Sequence, residues 1–393
     1  MKFLSLVFLG VCLFFTASGG PRTVLHPGRS EILARLKKYP YRPLFAPAAR
    51  REVWENLPGE VKSELLRRAE NALRSPWKML YARDYMKYRI TGDRRSYQDP
   101  YFHNRCKLVD LVSGECCGYD GRFMDEIMEG LWQILSEQTW AIPAHEAVRD
   151  GDFFPEPGVF QVELHSTETG KMLCDVLMLL EPELAKRSEA LVRRVKAELM
   201  RRIIEPAEKL NDANTRWFGG RNNWTPWCAA NLTSCAICLL GGQPERLAKF
   251  LDTYLEISCR FYARYPADGG CGEGPTYWRY GTGKFIQQLI YLDHRLGLNG
   301  KCFKDEKLQR MCDYLPGMNL CGNWFLSTGD AAPRPECSPQ FIQFAADRTG
   351  SASLAGLARR LGDKPKIART CEMEVRLCDI FCRPPAGKSG RRG

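Results

Sequence analysis

The segment 268–285 has the residue types that could bind a sugar and move a proton. It reads DGGCGEGPTYWRYGTGKF, and glycine at this density is typical of a strained turn or of a close approach between backbone and ligand. Three aromatic residues and two cations follow the turn: Tyr277, Trp278, Tyr280, Arg279 and Lys284. Flat rings suit a pyranose face, cations suit a carboxylate or a sulfate, and a phenol can transfer a proton.

A second segment, 217–231, has a similar composition and reads WFGGRNNWTPWCAAN. Its polar and aromatic candidates are Arg221, Asn222, Asn223, Trp224 and Trp227. Each segment leads into a helical pattern, so the two would meet if they lie at the same end of a helical array. We therefore expect them to line one cleft. The alternative is that their aromatic side chains only fill the core.

The N-terminus is typical of a secretory signal peptide. Lys2 precedes an apolar run at 3–15, and small residues follow at 17–20. We expect residues 1–20 to be this signal, residues 21–362 to form one helical domain, and residues 363–393 to be a basic, Cys-bearing tail. The apolar run is too short for a membrane span. The predicted location is therefore secreted or periplasmic.

The net charge of the chain bears on its partner. The 393 residues carry a formal charge of +11, without a helix-turn-helix or zinc-finger pattern. An exported basic protein of this kind is better suited to an acidic polysaccharide than to nucleic acid. The alternative is that the excess cations are only solvated surface.

The 17 cysteines are scattered mostly singly and do not form a small disulfide framework. Cys235 and Cys238 form a CxxC in an apolar helical run, and Cys116 and Cys117 are expected in a loop. Thiols that fill the core, with a few disulfides, explain this spacing better than a metal site. No metal and no cofactor are expected.

Helical periodicity dominates the rest of the chain. Amphipathic or apolar helical segments are predicted at 30–38, 58–72, 76–90, 123–140, 167–180, 182–210, 228–240, 244–265, 281–296, 305–315, 339–348 and 351–361. The best candidate for a strand is 159–164, and it is weak. Turns that often contain Gly or Pro join the helices, and no repeat period is visible. This pattern predicts an all-α fold in which helical hairpins stack into a toroid.

The order of several motifs resembles the N-terminal region of heparinase II/III-like polysaccharide lyases. The matching pieces are YRITGD at 88–93, FMD at 123–125, GLW at 130–132, WAIPAH at 140–145, ET at 168–169, RNNW at 221–224, DGG at 268–270 and EGPTYW at 273–278. The likeness covers roughly residues 45 to 340, and its specificity lies in the joint order of the motifs. In that family this region is an incomplete (α/α)-toroid.

The resemblance implies a reaction and a set of site residues. Family lyases cleave the bond at C4 of a uronic acid by β-elimination, in glycans such as heparin, heparan sulfate or alginate. Tyr277 matches the family tyrosine that acts as base or acid, and Asn223 matches the asparagine that neutralises the carboxylate, with Asn222 as its rival. Trp224 stands where some branches have a histidine. The expected substrate-binding residues are Arg221, Trp224, Trp227, Glu273, Trp278, Arg279, Tyr280 and Lys284.

Other functions stay open at this point. The family pattern includes a C-terminal β-sandwich that supplies a catalytic histidine, and this sequence stops before one. A truncated inactive lyase and a non-catalytic toroid that binds acidic glycans are therefore alternatives. A third is a glycoside hydrolase that uses Asp268 and Glu273. His145 and His165 are expected to be packing residues rather than bases.

Overall fold

The computed structural model describes residues 25–336, 338–362 and 367–382. It is 66% helix and 1% strand, which confirms the predicted all-α class. The predicted signal peptide lies outside the described residues. Within the described ranges no helix is long and apolar enough to cross a membrane.

The helices are α1 (Arg29–Lys38), α2 (Arg51–Glu55), α3 (Gly59–Arg74), α4 (Ala82–Thr91), α5 (Arg95–Gly118), α6 (Met124–Ser136), α7 (Leu164–Leu199), α8 (Glu205–Glu208), α9 (Trp224–Leu239), α10 (Pro244–Arg264), α11 (Pro275–Trp278), α12 (Lys284–Leu296), α13 (Glu306–Gly317), α14 (Pro339–Thr349), α15 (Ala352–Leu361) and α16 (Met373–Phe381). A π-helical turn, Met200–Ile204, joins α7 to α8, and another, Arg279–Gly283, joins α11 to α12. Short 3₁₀ turns lie at Arg216–Gly219 and Lys301–Lys304.

The amphipathic helices form where the sequence predicts them. In α3 the buried residues are Val61, Leu65, Ala69 and Ala72, which recur every three or four positions and so line one face. That face packs on α5. The polar face lies in solvent. Helix α10 follows the same rule and packs on α9.

A second group of helices lies inside the first and has long segments that are buried on nearly all sides. The group consists of α5, α7, α9 and α12, and its most buried segments are 104–117 in α5, 164–180 in α7, 225–237 in α9 and 284–292 in α12, as expected for segments without a polar face. Successive members are in contact: α5 with α7, α7 with α9, α9 with α12, and α12 with α14. The amphipathic helices α3 and α10 cover this group from outside.

Helix α5 was not predicted, because it has no clear polar face and carries Pro100 near its beginning. Cys116 and Cys117 lie in its last turn and are buried, so the prediction that they lie in a loop is wrong. The prediction of two helices at 167–180 and 182–210 places the break between them at the wrong residue. The first helix continues past Pro182, and the chain leaves helical geometry at Ser188, where φ is −159° and ψ is 97°; α7 therefore consists of two helical segments that meet in a kink at this residue.

The predicted strand at 159–164 is absent from the described structure, since Leu164 begins α7 and no strand precedes it there. The described strands are instead β1 (Asn319–Cys321) and β2 (Trp324–Phe325), which pair as a short antiparallel hairpin. Two features favour a helix rather than a strand from Leu164 onward. The Glu163 carboxylate caps the helix by accepting from the backbone N–H groups of His165 and Ser166, and the first turns of α7 are buried.

The C-terminal segment, expected as a basic tail, contains the buried helix α16. This helix contacts α14, α7 and α5. Arg376 is fully buried and donates to Asp110 at 2.7 Å, while Asp379 accepts from the Ser338 hydroxyl at 2.7 Å. Residues 367–382 are therefore part of the packed core. The rest of the predicted tail lies outside the described residues.

Candidate functional site

The two Gly- and aromatic-rich segments lie side by side. The Nδ2 atom of Asn223, just before α9, lies 3.1 and 3.2 Å from the two carboxylate oxygens of Glu273, just before α11. The rings of Trp227 and Tyr280 stack with centroids 4.6 Å apart and planes 6° apart. Two segments some 50 positions apart in the chain therefore form one surface, as their composition indicated.

Two glycines allow these segments to approach their neighbours. Gly220 has φ of +67°, and a Cβ there would lie 2.6 Å from the backbone nitrogen of Phe261. Gly274 has φ of +91°, and a Cβ there would collide with the carbonyl oxygen of Thr328. Only glycine meets both conditions without strain, so the glycine-rich sequence shapes the loops directly.

Asn223 lies at the N-terminus of α9 without capping it. Its backbone is α-helical, and its side chain makes no capping hydrogen bond. The side chain is buried and turned toward Glu273 instead. Asn222 is exposed, and its Oδ1 accepts from the backbone N–H of Trp224 at 3.2 Å. The local hydrogen bond therefore belongs to Asn222, whereas the Asn223 amide bonds to Glu273 of the other segment.

Tyr277 belongs to the same surface, which is the candidate cleft, and lies on the short helix α11. Its ring is half-buried and meets Tyr280 edge-on, with centroids 6.2 Å apart. Among the residues that the structure describes, none forms a hydrogen bond with the Tyr277 hydroxyl, and this hydroxyl is not among the buried unpaired groups. It is therefore available to solvent or to a ligand.

Trp278 is a core residue. It is 1% exposed, and its Nε1 donates to the carbonyl oxygen of Met311 at 2.7 Å. Trp278 was expected to bind substrate, but its ring has no face open to a ligand. Trp224, Trp227 and Tyr280 are only half-buried and remain at the surface of the cleft.

Arg279 and Lys284 are held by carboxylates inside the protein. Both pair with Glu372, and the Nζ of Lys284 lies 2.9 Å from Glu372 and 3.3 Å from Glu168. Burial alone would raise the pKa of Glu372, but Arg279 and Lys284 outweigh it and bring this pKa to about 2. Their charges are thus compensated inside the protein, which differs from the expectation that they face a substrate.

Glu168 fixes the rear of the cleft. Its Oε2 accepts from Trp227 Nε1 at 2.8 Å and from Asn231 Nδ2 at 2.9 Å, in addition to its contact with Lys284. These bonds orient the Trp227 ring that stacks on Tyr280. Glu168 belongs to a motif quoted for the family resemblance, whereas nothing in the sequence pointed to Glu372.

Three predicted residues remain: Arg221, Asp268 and Glu273. Arg221 is exposed, and no carboxylate in the described part of the chain pairs with it. Asp268 is exposed and accepts from the backbone N–H of Gly270 at 2.9 Å, so it stabilises its own turn. Burial is the main cause that raises the pKa of Glu273, against the hydrogen bond from Asn223. A protonated Glu273 could donate a hydrogen bond within the cleft.

Two stacked histidines, His145 and His165, lie next to the candidate cleft, and His145 contacts Trp224. The ring centroids of His145 and Trp224 lie 4.7 Å apart, and those of His145 and His165 lie 5.2 Å apart with the planes at 7°. His145 Nδ1 lies 2.7 Å from a carboxylate oxygen of Glu163. Burial lowers the pKa of His165 to about 4, so this ring is neutral near neutral pH. His145 therefore lies against a residue of the cleft, a contact that the sequence did not show.

Within residues 25–336, 338–362 and 367–382, no three His, Cys, Asp or Glu side chains are grouped so that they could hold a metal ion. Comparison of the chain with protein-family models and with curated proteins gives no match.

Proposed function

We propose that the protein is an exported lyase-like protein that cleaves an acidic, uronic-acid-containing glycan by β-elimination. The order of the quoted motifs supports the class, and the signal-like N-terminus supports export. We also propose that the inner helices form an incomplete (α/α)-toroid. The contacts of α5, α7, α9, α12 and α14 in sequence order support this arrangement, as do the contacts of α16 with α14 and α5.

The position of Asn223 is the observation that carries the proposal. Its amide is buried, does not cap α9, and faces the loop that contains Tyr277. The Tyr277 hydroxyl is free of hydrogen bonds to the described residues. An amide and a free phenol on one aromatic surface are the groups that elimination from a uronate needs.

The chemistry follows from the charge of the uronate. Its C5 proton is weakly acidic until the adjacent carboxylate is neutralised, because the carbanion must delocalise its charge into that group. The Asn223 amide and a protonated Glu273 would both donate to the carboxylate. Tyr277 would then take the C5 proton or donate a proton to the leaving oxygen at C4. The stacked pair of Trp227 and Tyr280 would support a sugar ring.

A non-catalytic glycan-binding function is the second candidate, and one contact favours it. Glu372 holds Arg279 and Lys284, which would otherwise face an acidic sugar. A cleft without these cations retains a binding surface but has less electrostatic stabilisation for a developing negative charge.

One experiment separates these functions. The chain without residues 1–20 is incubated with heparin, heparan sulfate and alginate, and both ultraviolet absorbance and reducing ends are measured. A lyase produces an absorbing unsaturated uronate, a hydrolase produces reducing ends alone, and a binder produces neither. We expect unsaturated ends with at least one glycan. Their absence with all three would contradict the proposed reaction.

A further inference from the structure

A cationic groove lies beside the candidate cleft. It is lined by residues of α5 and of the segments 76–80 and 367–371, and it contains Lys78, Arg95, Asp99, Phe102, His103 and Arg369. Its volume is about 600 Å³, within the range of small-ligand sites. The groove is open to solvent rather than enclosed, so a longer chain could lie in it.

Most of the charge in this groove is uncompensated. Asp99 pairs with Arg95 at 3.3 Å. Lys78 and Arg369 are exposed, and no carboxylate in the described ranges pairs with either of them. The groove therefore carries an excess of positive charge.

Two other groups in the groove respond to this positive charge. Burial first, and then the charges of Arg369 and Lys78, lower the pKa of His103. A hydrogen bond with Cys371 lowers the pKa of the Cys106 thiol, and against the effect of burial the charge of Arg369 lowers it further. Both shifts have the sign that a positive local potential produces, since it disfavours a cation and favours an anion.

A continuous row of rings connects the groove to the cleft. Phe102 forms one wall of the groove and meets His165 with centroids 5.0 Å apart. His165 stacks on His145, and His145 meets Trp224 at 4.7 Å. Arg94 lies along this row, with Nη2 at 3.4 Å from His145 Nε2. This row of packed rings places the groove next to the candidate cleft, and Arg94 is an exposed cation between the two.

We propose that the groove of Lys78, Arg95, Phe102 and Arg369 is a subsite that binds acidic sugar units flanking the one in the cleft, with Arg94 between them. This inference rests on the proposed function, because it assigns the same glycan to both places. Lys78 and Arg369 would pair with carboxylate or sulfate groups, and Phe102 would pack on a ring face. Solvated cations on an ordinary surface would bind no glycan specifically.

The test compares two double variants in the full chain without its first 20 residues. The first is Lys78→Ala with Arg369→Ala, and the matched control is Lys249→Ala with Arg216→Ala, an exposed lysine and arginine without a carboxylate partner in the described structure. All proteins also carry Tyr277→Phe, so that cleavage does not disturb equilibrium titrations with size-defined heparin and alginate oligosaccharides. Circular dichroism and thermal unfolding check that both variants fold.

We expect the groove variant to bind longer oligosaccharides about 10-fold or more weakly, and to show a smaller salt dependence, because two charge contacts are lost. Disaccharides, which fill only the cleft, should lose little affinity. Equal affinities of the groove and control variants would overturn the subsite. Equal or tighter binding of a single-stranded nucleic acid of the same charge would overturn the glycan assignment.

The outcome is separable from that of the proposed reaction. Loss of binding in the groove variant, without unsaturated ends from the protein that retains Tyr277, would support the subsite and contradict the lyase. Unsaturated ends together with unchanged binding in the groove variant would support the lyase and contradict the subsite. Absence of glycan binding in every protein would contradict both.

Discussion

The amide nitrogen of Asn223 lies within 3.2 Å of both carboxylate oxygens of Glu273, although 50 positions separate the two residues. This contact joins the two loops that carry the candidate chemistry. It places a raised-pKa carboxyl beside a neutral amide. The pair can therefore accept a substrate carboxylate only if Glu273 is protonated, because two carboxylates at this spacing repel each other.

The first prediction concerns Tyr277. The Tyr277→Phe variant removes only the hydroxyl, so elimination should fall by about 10²-fold or more, the scale of a lost acid or base. Thermal stability should change little, because no hydrogen bond to the described residues is lost and the ring still fills its space. Initial rates from ultraviolet absorbance measure the effect. Tyr81→Phe, at an exposed phenol, is the control, and full activity of the Tyr277 variant would exclude this role.

The second prediction concerns the pH dependence of glycan binding at Glu273. Ionisation of this carboxyl should weaken binding of an acidic glycan, so wild-type affinity should fall as pH rises through its raised pKa. Glu273→Gln keeps a neutral donor, so it should remove most of this fall. Tryptophan fluorescence titrations with alginate oligosaccharides measure it. Identical pH profiles for both proteins would show that Glu273 does not meet the substrate.

The third prediction concerns the carboxylate that compensates Arg279 and Lys284. Glu372→Gln leaves both buried cations with less than their full counter-charge, so the free energy of unfolding should fall by about 3–5 kcal/mol. Urea denaturation measures this loss. Glu372→Asp keeps the charge and should lose less. Glu189→Gln, in an exposed pair with Arg193, should show no measurable change.

The same carboxylate should also have a pH signature. The pKa of Glu372 is about 2 in the folded protein against an ordinary value of 4.5. A lowered acid pKa contributes stability above the unfolded value, and the contribution is lost as pH falls toward about 2. The Gln variant should therefore lose less stability in acid than the wild type does. Parallel acid unfolding curves would contradict the assigned ion pairs.

The fourth prediction concerns Glu146, whose pKa burial raises to about 7. The folded state then binds more protons than the unfolded state between about pH 4.5 and about pH 7, so Glu146 makes the protein less stable as pH rises through this window. His165 acts in the opposite direction, because its lowered pKa of about 4 makes the protein more stable as pH rises from about 4 to about 6.5.

Glu146→Gln should therefore make stability rise more steeply with pH across this window, since the opposing histidine term remains. Urea denaturation at several pH values gives the free energies of unfolding. Glu129→Gln, an exposed residue of α6, is the control. A Glu146 variant that follows the wild-type pH profile would show that this carboxyl is ionised in the folded protein.

The sequence by itself determined the helical class and most of the amphipathic helices. The apolar spacing in α3, α10 and α13 is a local property, because a period near 3.6 residues places one face on the core. The glycines at 220 and 274 likewise predict tight turns from local sequence, since their backbones take a positive φ. Helices buried on all sides were harder to predict. Helix α5 was missed for this reason, and the break within α7 was expected at Pro182 although it lies at Ser188.

The tertiary structure alone decided which charged groups of the site are free. The sequence predicted that Arg279 and Lys284 bind substrate. In the structure Glu372, some 90 positions later, compensates the charge of both side chains. The contacts of His145 with Trp224 and of Asn223 with Glu273 depend in the same way on residues brought together from distant parts of the chain. Periodicity and turn composition act over a few residues, whereas compensation of a buried charge depends on whatever the completed fold places within a few ångströms of it.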